Sequence, residues 1–89
     1  MSQAATAPSV TVFYFAQFRE EAGASRESIP LPADGQATAG MLFDEIASKH
    51  GFTLGKPSVR PAINGAYAQW DDRVNPDDEL VFIPPVAGG

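Results

Sequence analysis

Two short apolar runs, one near each end of the chain, constrain the fold more than any other feature. The first spans residues 10–15 (Val-Thr-Val-Phe-Tyr-Phe) and the second spans residues 80–83 (Leu-Val-Phe-Ile). Strands that are buried on both faces of a sheet have this nearly continuous apolar composition. The two runs are therefore predicted to be neighbouring central strands of one sheet. Placing them side by side requires a parallel pair, so both strands would end at the same edge of the sheet.

The alternation of side chains along these two strands predicts two different faces. Successive side chains of a strand point to opposite sides of the sheet. One face, which packs on a helix, is expected to receive Val12, Tyr14, Leu80 and Phe82. The other face is expected to present Phe13, Phe15, Val81 and Ile83, with Tyr67 beside them. Unless the leader or loops cover it, this second apolar patch is predicted to bind a partner, since such patches are ordinary at interfaces.

The main helix is predicted over residues 39–50. Thr38 is a suitable N-cap, and Gly51 is placed to end the helix in the left-handed conformation. An apolar stripe at helical spacing indicates the face that packs on the sheet, and it comprises Leu42, Phe43, Ile46 and Ala47. We interpret this stripe as core and not as a binding face.

Further strands are predicted on either side of this helix. Asn64-Gly65 is a strong signal for a two-residue hairpin turn, and it joins candidate strands at residues 59–63 and 66–70. Residues 26–31 form a weaker strand that Pro30 and Pro32 confine to an edge. Residues 16–23 are predicted to be a polar connection that reverses at Gly23, and residues 71–78 a loop.

The composition excludes several classes of function. The 89 residues suffice for one domain, and 44% of them are hydrophobic, as in folded proteins. The chain has no cysteine, which removes disulfides, thiolate zinc sites and thiol nucleophiles and fits a reducing cytoplasm. A net charge of −5 argues against nucleic acid or an anionic membrane and favours a basic protein surface as partner.

The sequence contains only weak candidates for metal ligands. His50 has no neighbouring histidine or cysteine in the sequence, so we interpret it as a residue of the helix's last turn and predict no metal site. Four aspartates, Asp71, Asp72, Asp77 and Asp78, lack the ligand alternation and central glycine of a calcium loop. We interpret them as solvated turn residues.

The last strand leads into a distinctive tail. Pro84 and Pro85 cannot donate to a sheet ladder, so the chain is predicted to leave the sheet in an extended form. The remaining residues are Val86, Ala87, Gly88 and Gly89. A diglycine end fits a narrow channel, and its carboxylate must be activated, for instance as an anhydride with AMP, before it can react as an electrophile. A frayed end without function is the alternative, although the stiff proline pair favours a projected tail.

Together these elements predict an α+β protein with a β-grasp fold, in which a mixed sheet of about five strands packs on one main helix. Residues 10–83 are expected to form the single domain. Residues 1–9 are expected to be a mobile leader without signal-peptide character, and residues 84–89 a flexible extended tail.

Three segments resemble the small sulfur-carrier subunit of molybdopterin synthase, the MoaD type. They are residues 15–20 (Phe-Ala-Gln-Phe-Arg-Glu), residues 62–64 (Ala-Ile-Asn) and residues 78–89, which end in Pro-Pro-Val-Ala-Gly-Gly. The resemblance covers nearly the whole chain from Val10. It departs from the family pattern at Asp77, where a glycine is usual, and in the additional leader.

The resemblance implies a function at Gly89. An E1-like adenylyltransferase would adenylate Gly89 with ATP and Mg²⁺, and sulfur from a donor protein would displace AMP to leave a thiocarboxylate. The tail would then enter the large catalytic subunit of the synthase, where the sulfur passes to cyclic pyranopterin monophosphate. The chain itself would be a non-catalytic subunit with no stably bound cofactor. The second apolar patch would bind both partners, with Arg19 and Glu20 at its rim.

Three alternatives share this fold. The chain could carry sulfur for thiamine or tRNA thiolation, act as a ubiquitin-like modifier that forms isopeptides on lysines, or be an interaction domain with an inert end. The proline pair favours the molybdopterin pathway over the other sulfur carriers.

Overall fold

A five-stranded mixed sheet and two helices make up the part of the chain that the computed structural model describes, residues 8–32 and 34–85. The elements in chain order are β1 (Ser9–Phe13), α1 (Ala16–Ala22), β2 (Arg26–Pro30), α2 (Ala39–His50), β3 (Arg60–Ile63), β4 (Ala66–Tyr67) and β5 (Glu79–Ile83), with a short 3-10 turn at Lys56–Ser58 before β3. The predicted domain limits are not tested by this structure. Most of the predicted leader, residues 1–7, lies outside the described residues.

The order of strands in the sheet is β2-β1-β5-β3-β4, and this confirms the predicted topology. β1 and β5 are the parallel central pair, in which Val12 is opposite Leu80 and Phe13 is opposite Val81. The β1–β2, β3–β5 and β3–β4 pairs are antiparallel. A mixed sheet of this order with a helix on one face is the β-grasp fold.

α2 covers one face of the sheet and has the predicted limits. The Thr38 side chain accepts a hydrogen bond from the Met41 N–H at 3.2 Å, and Gly51 follows the helix with a φ of 68°. Leu42, Phe43 and Ile46 are buried, as the apolar stripe predicts. The helix therefore packs on the sheet through the predicted face.

The core between α2 and the sheet consists of apolar and aromatic side chains. The four residues predicted to face the helix, Val12, Tyr14, Leu80 and Phe82, are at most 1% exposed. Phe82 contacts the Phe43 ring edge to face at 4.9 Å between ring centroids. The alternation of the two central strands is thus confirmed on the helix side.

The prediction for residues 16–23 is wrong, because residues 16–22 form the helix α1 and are not a simple polar connection. One buried side chain, Phe18, anchors this short helix to the core, and its ring lies 4.6 Å from that of Phe52. Ala16 starts the helix with a φ of 52°, which is unusual for a residue with a Cβ. Gly23 ends it with a φ of 75° and donates its N–H to the Arg19 carbonyl.

Two strands end two or three residues earlier in the structure than predicted. β1 ends at Phe13 and not at Phe15, because the chain turns into α1 at Ala16. β4 contains only Ala66–Tyr67, since the chain soon enters a turn in which the Asp72 N–H donates to the Gln69 carbonyl. The hairpin turn itself is confirmed, with positive φ angles of 52° at Asn64 and 85° at Gly65.

Candidate functional site

A continuous row of paired side chains crosses the sheet face that α2 leaves uncovered. Phe13 on β1 is opposite Arg26 on one side and Val81 on the other. Val81 is opposite Ala62, which in turn is opposite Tyr67 on β4. Residues that are directly opposite in a sheet place their side chains on the same face. The row therefore brings Phe13, Val81 and Tyr67, three predicted partner-binding residues, onto one surface.

The other two predicted aromatic and aliphatic contacts lie at one end of this row. Ile83 is two residues beyond Val81 on β5, and Phe15 is two residues beyond Phe13 in an extended conformation. Phe15 is 53% exposed and Tyr67 is 67% exposed, so both aromatic rings are accessible. We call the surface formed by Phe13, Phe15, Tyr67, Val81 and Ile83 the apolar face.

A shallow groove runs along one side of the apolar face. Its lining residues come from β3, β4 and β5 and from the hairpin turn, and they are Ala62, Gly65, Tyr67, Val81 and Ile83. A protruding apolar side chain of a partner would fit such a groove.

The chain leaves the sheet at the edge of the apolar face. β5 ends at Ile83, and Pro84 and Pro85 follow it outside any strand. Because β1 and β5 are parallel, this exit is at the same edge of the sheet as Phe15 and the start of α1. The rest of the predicted tail, Val86, Ala87, Gly88 and Gly89, lies outside the described residues.

Arg19, the other predicted partner-binding residue, lies on α1 and is not part of the row. It borders an open concavity between α1 and the following turn, whose lining residues are Ala16, Arg19, Glu20, Gly23, Ala24 and Ser25. The structure therefore places Arg19 beside the exit of β1 and not on the sheet surface itself.

A hydrogen-bonded network that sequence reasoning missed is centred on Glu27, on the side of the sheet that faces α2. Glu27 accepts a hydrogen bond from the Tyr14 hydroxyl at 2.7 Å, lies 2.8 Å from His50 Nε2, and forms an ion pair with Lys49. Partial burial opposes ionisation of Glu27, but its three hydrogen bonds outweigh this effect and lower its pKa to about 2. Burial and the hydrogen bond to Glu27 raise the pKa of Tyr14 far above its ordinary value, so Tyr14 stays a neutral donor.

The sequence feature that could have predicted this network is an acidic residue at a strand position that faces the core. Glu27 is two residues before the buried Ile29 on β2, so alternation directs both side chains to the α2 side. His50 occupies the last turn of α2, as predicted, and its ring stacks on Phe52 with 5.8 Å between ring centroids. These contacts give His50 a structural role in holding β2 against the end of α2.

Two of the four aspartates are used by the turns that contain them. Asp72 accepts a hydrogen bond from the Gln69 N–H, and Asp78 accepts one from the Asn75 N–H and another from the Asn64 amide. Over residues 8–32 and 34–85, no three metal-ligating side chains are grouped so as to hold an ion. Within the same ranges, neither helix has the length and apolar character needed to cross a membrane.

Comparison with known proteins identifies the family. The family model described as the ThiS family matches residues 12–89. The molybdopterin synthase sulfur carrier subunit of Drosophila melanogaster is 36% identical over 83 residues, which cover 90% of this chain and 90% of that protein. The chain belongs to the family of molybdopterin synthase sulfur carrier subunits. The resemblance found in the sequence is therefore confirmed.

Solved structures of similar proteins agree with this family assignment. A structure assigned to subunit 1 of a molybdopterin converting factor from Pyrococcus furiosus has a TM-score of 0.74 and 34% identity, covering 90% of this chain and 100% of that one. SAMP1 from Haloferax volcanii has a TM-score of 0.75 and 27% identity, covering 91% of this chain and 99% of that one. Both support the β-grasp fold of this sulfur-carrier family member.

Proposed function

We propose that this chain carries sulfur as a thiocarboxylate on Gly89 and donates it within molybdopterin synthase during molybdenum cofactor biosynthesis. The observation that supports this proposal best is the position of the chain's exit. β5, a central strand, leads directly into Pro84 and Pro85 beside the apolar face. A partner that binds the apolar face would therefore have the tail within reach of its own active site.

The chemistry of the tail explains why activation is needed. The carboxylate of Gly89 is an anion at neutral pH and a poor electrophile. An E1-like partner would transfer AMP to it from ATP, with Mg²⁺ held by that partner and pyrophosphate released. Hydrosulfide delivered by the donor protein would then attack the acyl carbon and displace AMP, so that one C–S bond forms as the bond to the AMP oxygen breaks. The resulting thiocarboxylate is a tethered nucleophile with a high effective concentration in the next active site.

The large subunit of the synthase would bind the loaded chain and supply the acids and bases for sulfur transfer to cyclic pyranopterin monophosphate. Phe15, Tyr67 and Ile83 provide the exposed apolar contacts for this docking, and Arg19 borders the same edge. Because the apolar face would also bind the activating enzyme, the two partners would bind one after the other and not together.

The likeness to SAMP1, which is named a small archaeal modifier protein in Haloferax volcanii, supports a second candidate function. In that case Gly89 would form isopeptide bonds with lysines of other proteins. Both functions begin with adenylation of Gly89, so the fold does not distinguish between them. They differ in the product, which is a thiocarboxylate in one case and a conjugate in the other.

The test is the intact mass of the chain after co-expression with its host's E1-like enzyme and sulfur donor. We expect a mass gain equal to the exchange of one oxygen for one sulfur, localised to Gly89. Deleting Gly89, or adding one residue after it, should abolish loading, whereas one extra residue before Met1 is the matched control and should load normally. An unmodified carboxylate together with lysine conjugates would favour the modifier function instead.

A further inference from the structure

The basic side chains of this chain divide into two groups. Six residues are lysine or arginine. Lys49 and Lys56 each form an ion pair with a carboxylate, and Arg73 donates a hydrogen bond to an amide. The remaining three are Arg19, Arg26 and Arg60. None of them forms an ion pair with any residue in the part of the chain that the structure describes, and this part includes every aspartate and glutamate.

Two of these arginines lie on either side of the part of the apolar face that β1 and β5 form, and Arg60 separates this part from Tyr67 on β4. Arg26 is opposite Phe13 on the edge strand β2, so its side chain is on the same face as Phe13. Arg60 is opposite Ile83 on β3, and its guanidinium lies 4.5 Å from the centre of the Tyr67 ring. Both arginines are exposed. We call Arg26 and Arg60 the arginine pair.

The arginine pair encloses the β1 and β5 residues of the apolar face. Three inter-strand steps separate β2 from β3 in the sheet order, which corresponds to about 14 Å. The acid nearest in register on the same face is Glu79, which is opposite Thr11 and two residues before Val81, towards the far end of the face from the tail exit. Beside the tail exit, the strand positions of this face thus carry two arginines and no acid, although Glu20 lies on α1 at the same edge and the chain as a whole carries a net charge of −5.

We propose that the arginine pair selects a partner whose apolar docking surface is flanked by carboxylates. This inference rests on the proposed function, because the partner is the protein that receives the tail. It differs from the expectation of a basic partner surface, which followed from net charge alone. Arginine suits this role because its guanidinium offers paired donors to a carboxylate and stays charged when it loses water at an interface.

The arginine pair is expected to change the rate of association with this partner more than it changes the contact area. Charges at the rim of an interface attract the partner during diffusion and repel partners of the wrong sign. This attraction weakens with salt, because the Debye length is about 8 Å at physiological ionic strength. The stacking of Arg60 on Tyr67 also holds the guanidinium in place before binding, which reduces the entropy lost on docking.

The experiment measures association rates with the large subunit of molybdopterin synthase from the same host, at low and high salt. Arg26→Glu and Arg60→Glu should each slow association about three- to tenfold at low salt and reduce its salt dependence. Arg73→Glu is the matched control, because it makes the same change in net charge away from the apolar face, and it should alter the rate less than about twofold. Arg60→Lys keeps the charge and should stay close to the wild-type rate.

The sign of the effect decides the proposal. Faster association of the two glutamate variants would show that the partner surface is basic and would overturn it. Equal slowing by Arg73→Glu would also overturn it, since net charge and not the arginine pair would then control the rate. Sulfur loading of Gly89 in the same preparations is measured separately by intact mass, so a failure of the proposed function is recognised independently of the arginine variants.

Discussion

Glu27 shows how a single carboxylate can hold three elements together. It is on the edge strand β2, and its partners Tyr14, Lys49 and His50 come from the end of β1 and the last turn of α2. Edge strands are otherwise held by one ladder only, so these side-chain contacts add an attachment that β2 lacks in its backbone pairing. The side chain of Glu27 is 21% exposed, which leaves the network only partly screened by water.

Replacing Glu27 by Gln should lower the free energy of unfolding by about 1–2 kcal/mol at pH 7, because the charge that Lys49 and His50 bind is lost. The pKa of Glu27 is lowered to about 2 in the folded chain from an ordinary value of 4.5. Its contribution is therefore fully present above about pH 4.5 and is lost as the pH falls towards 2. We expect the stability difference between wild type and variant to shrink over this range in urea titrations.

Glu45→Gln is the control for this prediction, since Glu45 is exposed on the outer face of α2. It corrects for the general effect of removing one negative charge from an acidic protein. A difference between wild type and Glu27→Gln that stays constant from pH 7 to pH 2 would contradict the assigned role of the carboxylate charge.

The two helices differ in how well their sequences predict them. α2 has a capping threonine, an apolar stripe at helical spacing and a terminal glycine, so several independent signals agree. α1 has seven residues and only one buried side chain, Phe18, so no periodic stripe can be recognised. The helix starts at Ala16 with a positive φ, and an alanine in the sequence does not predict such an angle. Packing of Phe18 on the core, which is a tertiary contact, decides this helix.

The close contact between Gly40, in the first turn of α2, and the Trp70 backbone leads to a prediction about the packing of this helix. An alanine in a helix is ordinarily about 1 kcal/mol more favourable than a glycine. At Gly40, however, a Cβ would lie 3.1 Å from the Trp70 carbonyl oxygen, which also accepts the Gly40 N–H at 2.8 Å. We therefore expect Gly40→Ala to lower the free energy of unfolding by about 1 kcal/mol.

The readout for Gly40→Ala is chemical denaturation followed by the fluorescence of Trp70, the only tryptophan of the chain. Ser48→Ala, at an exposed position of the same helix, should be neutral or slightly stabilising. If Gly40→Ala stabilised the protein by the ordinary helix increment, the loop that carries Trp70 would have to be free to move away from α2.

At the scale of the whole molecule, the sheet order connects the two predicted parts of the site. The alternation of β1 and β5 predicted which side chains form the apolar face, and the parallel pairing predicted that the chain leaves the sheet beside Phe15. The arginine pair could not be predicted in the same way. Arg26 and Arg60 are 34 positions apart in sequence, and only the registers of β2 on β1 and of β3 on β5 bring both to one face.

The apolar face and the core should respond differently to the same kind of substitution. Phe15→Arg should reduce binding of the synthase large subunit at least tenfold, because a charged side chain would replace an exposed aromatic contact at the proposed interface. Its stability should change by less than about 0.5 kcal/mol, since Phe15 is 53% exposed.

Met41→Arg is the matched control, as Met41 is 52% exposed on α2, on the other side of the sheet. Isothermal titration of both variants, with thermal melting of each free chain, checks the prediction. Equal losses of affinity in the two variants would place the docking surface elsewhere, and a large loss of stability in Phe15→Arg would make this residue part of the core.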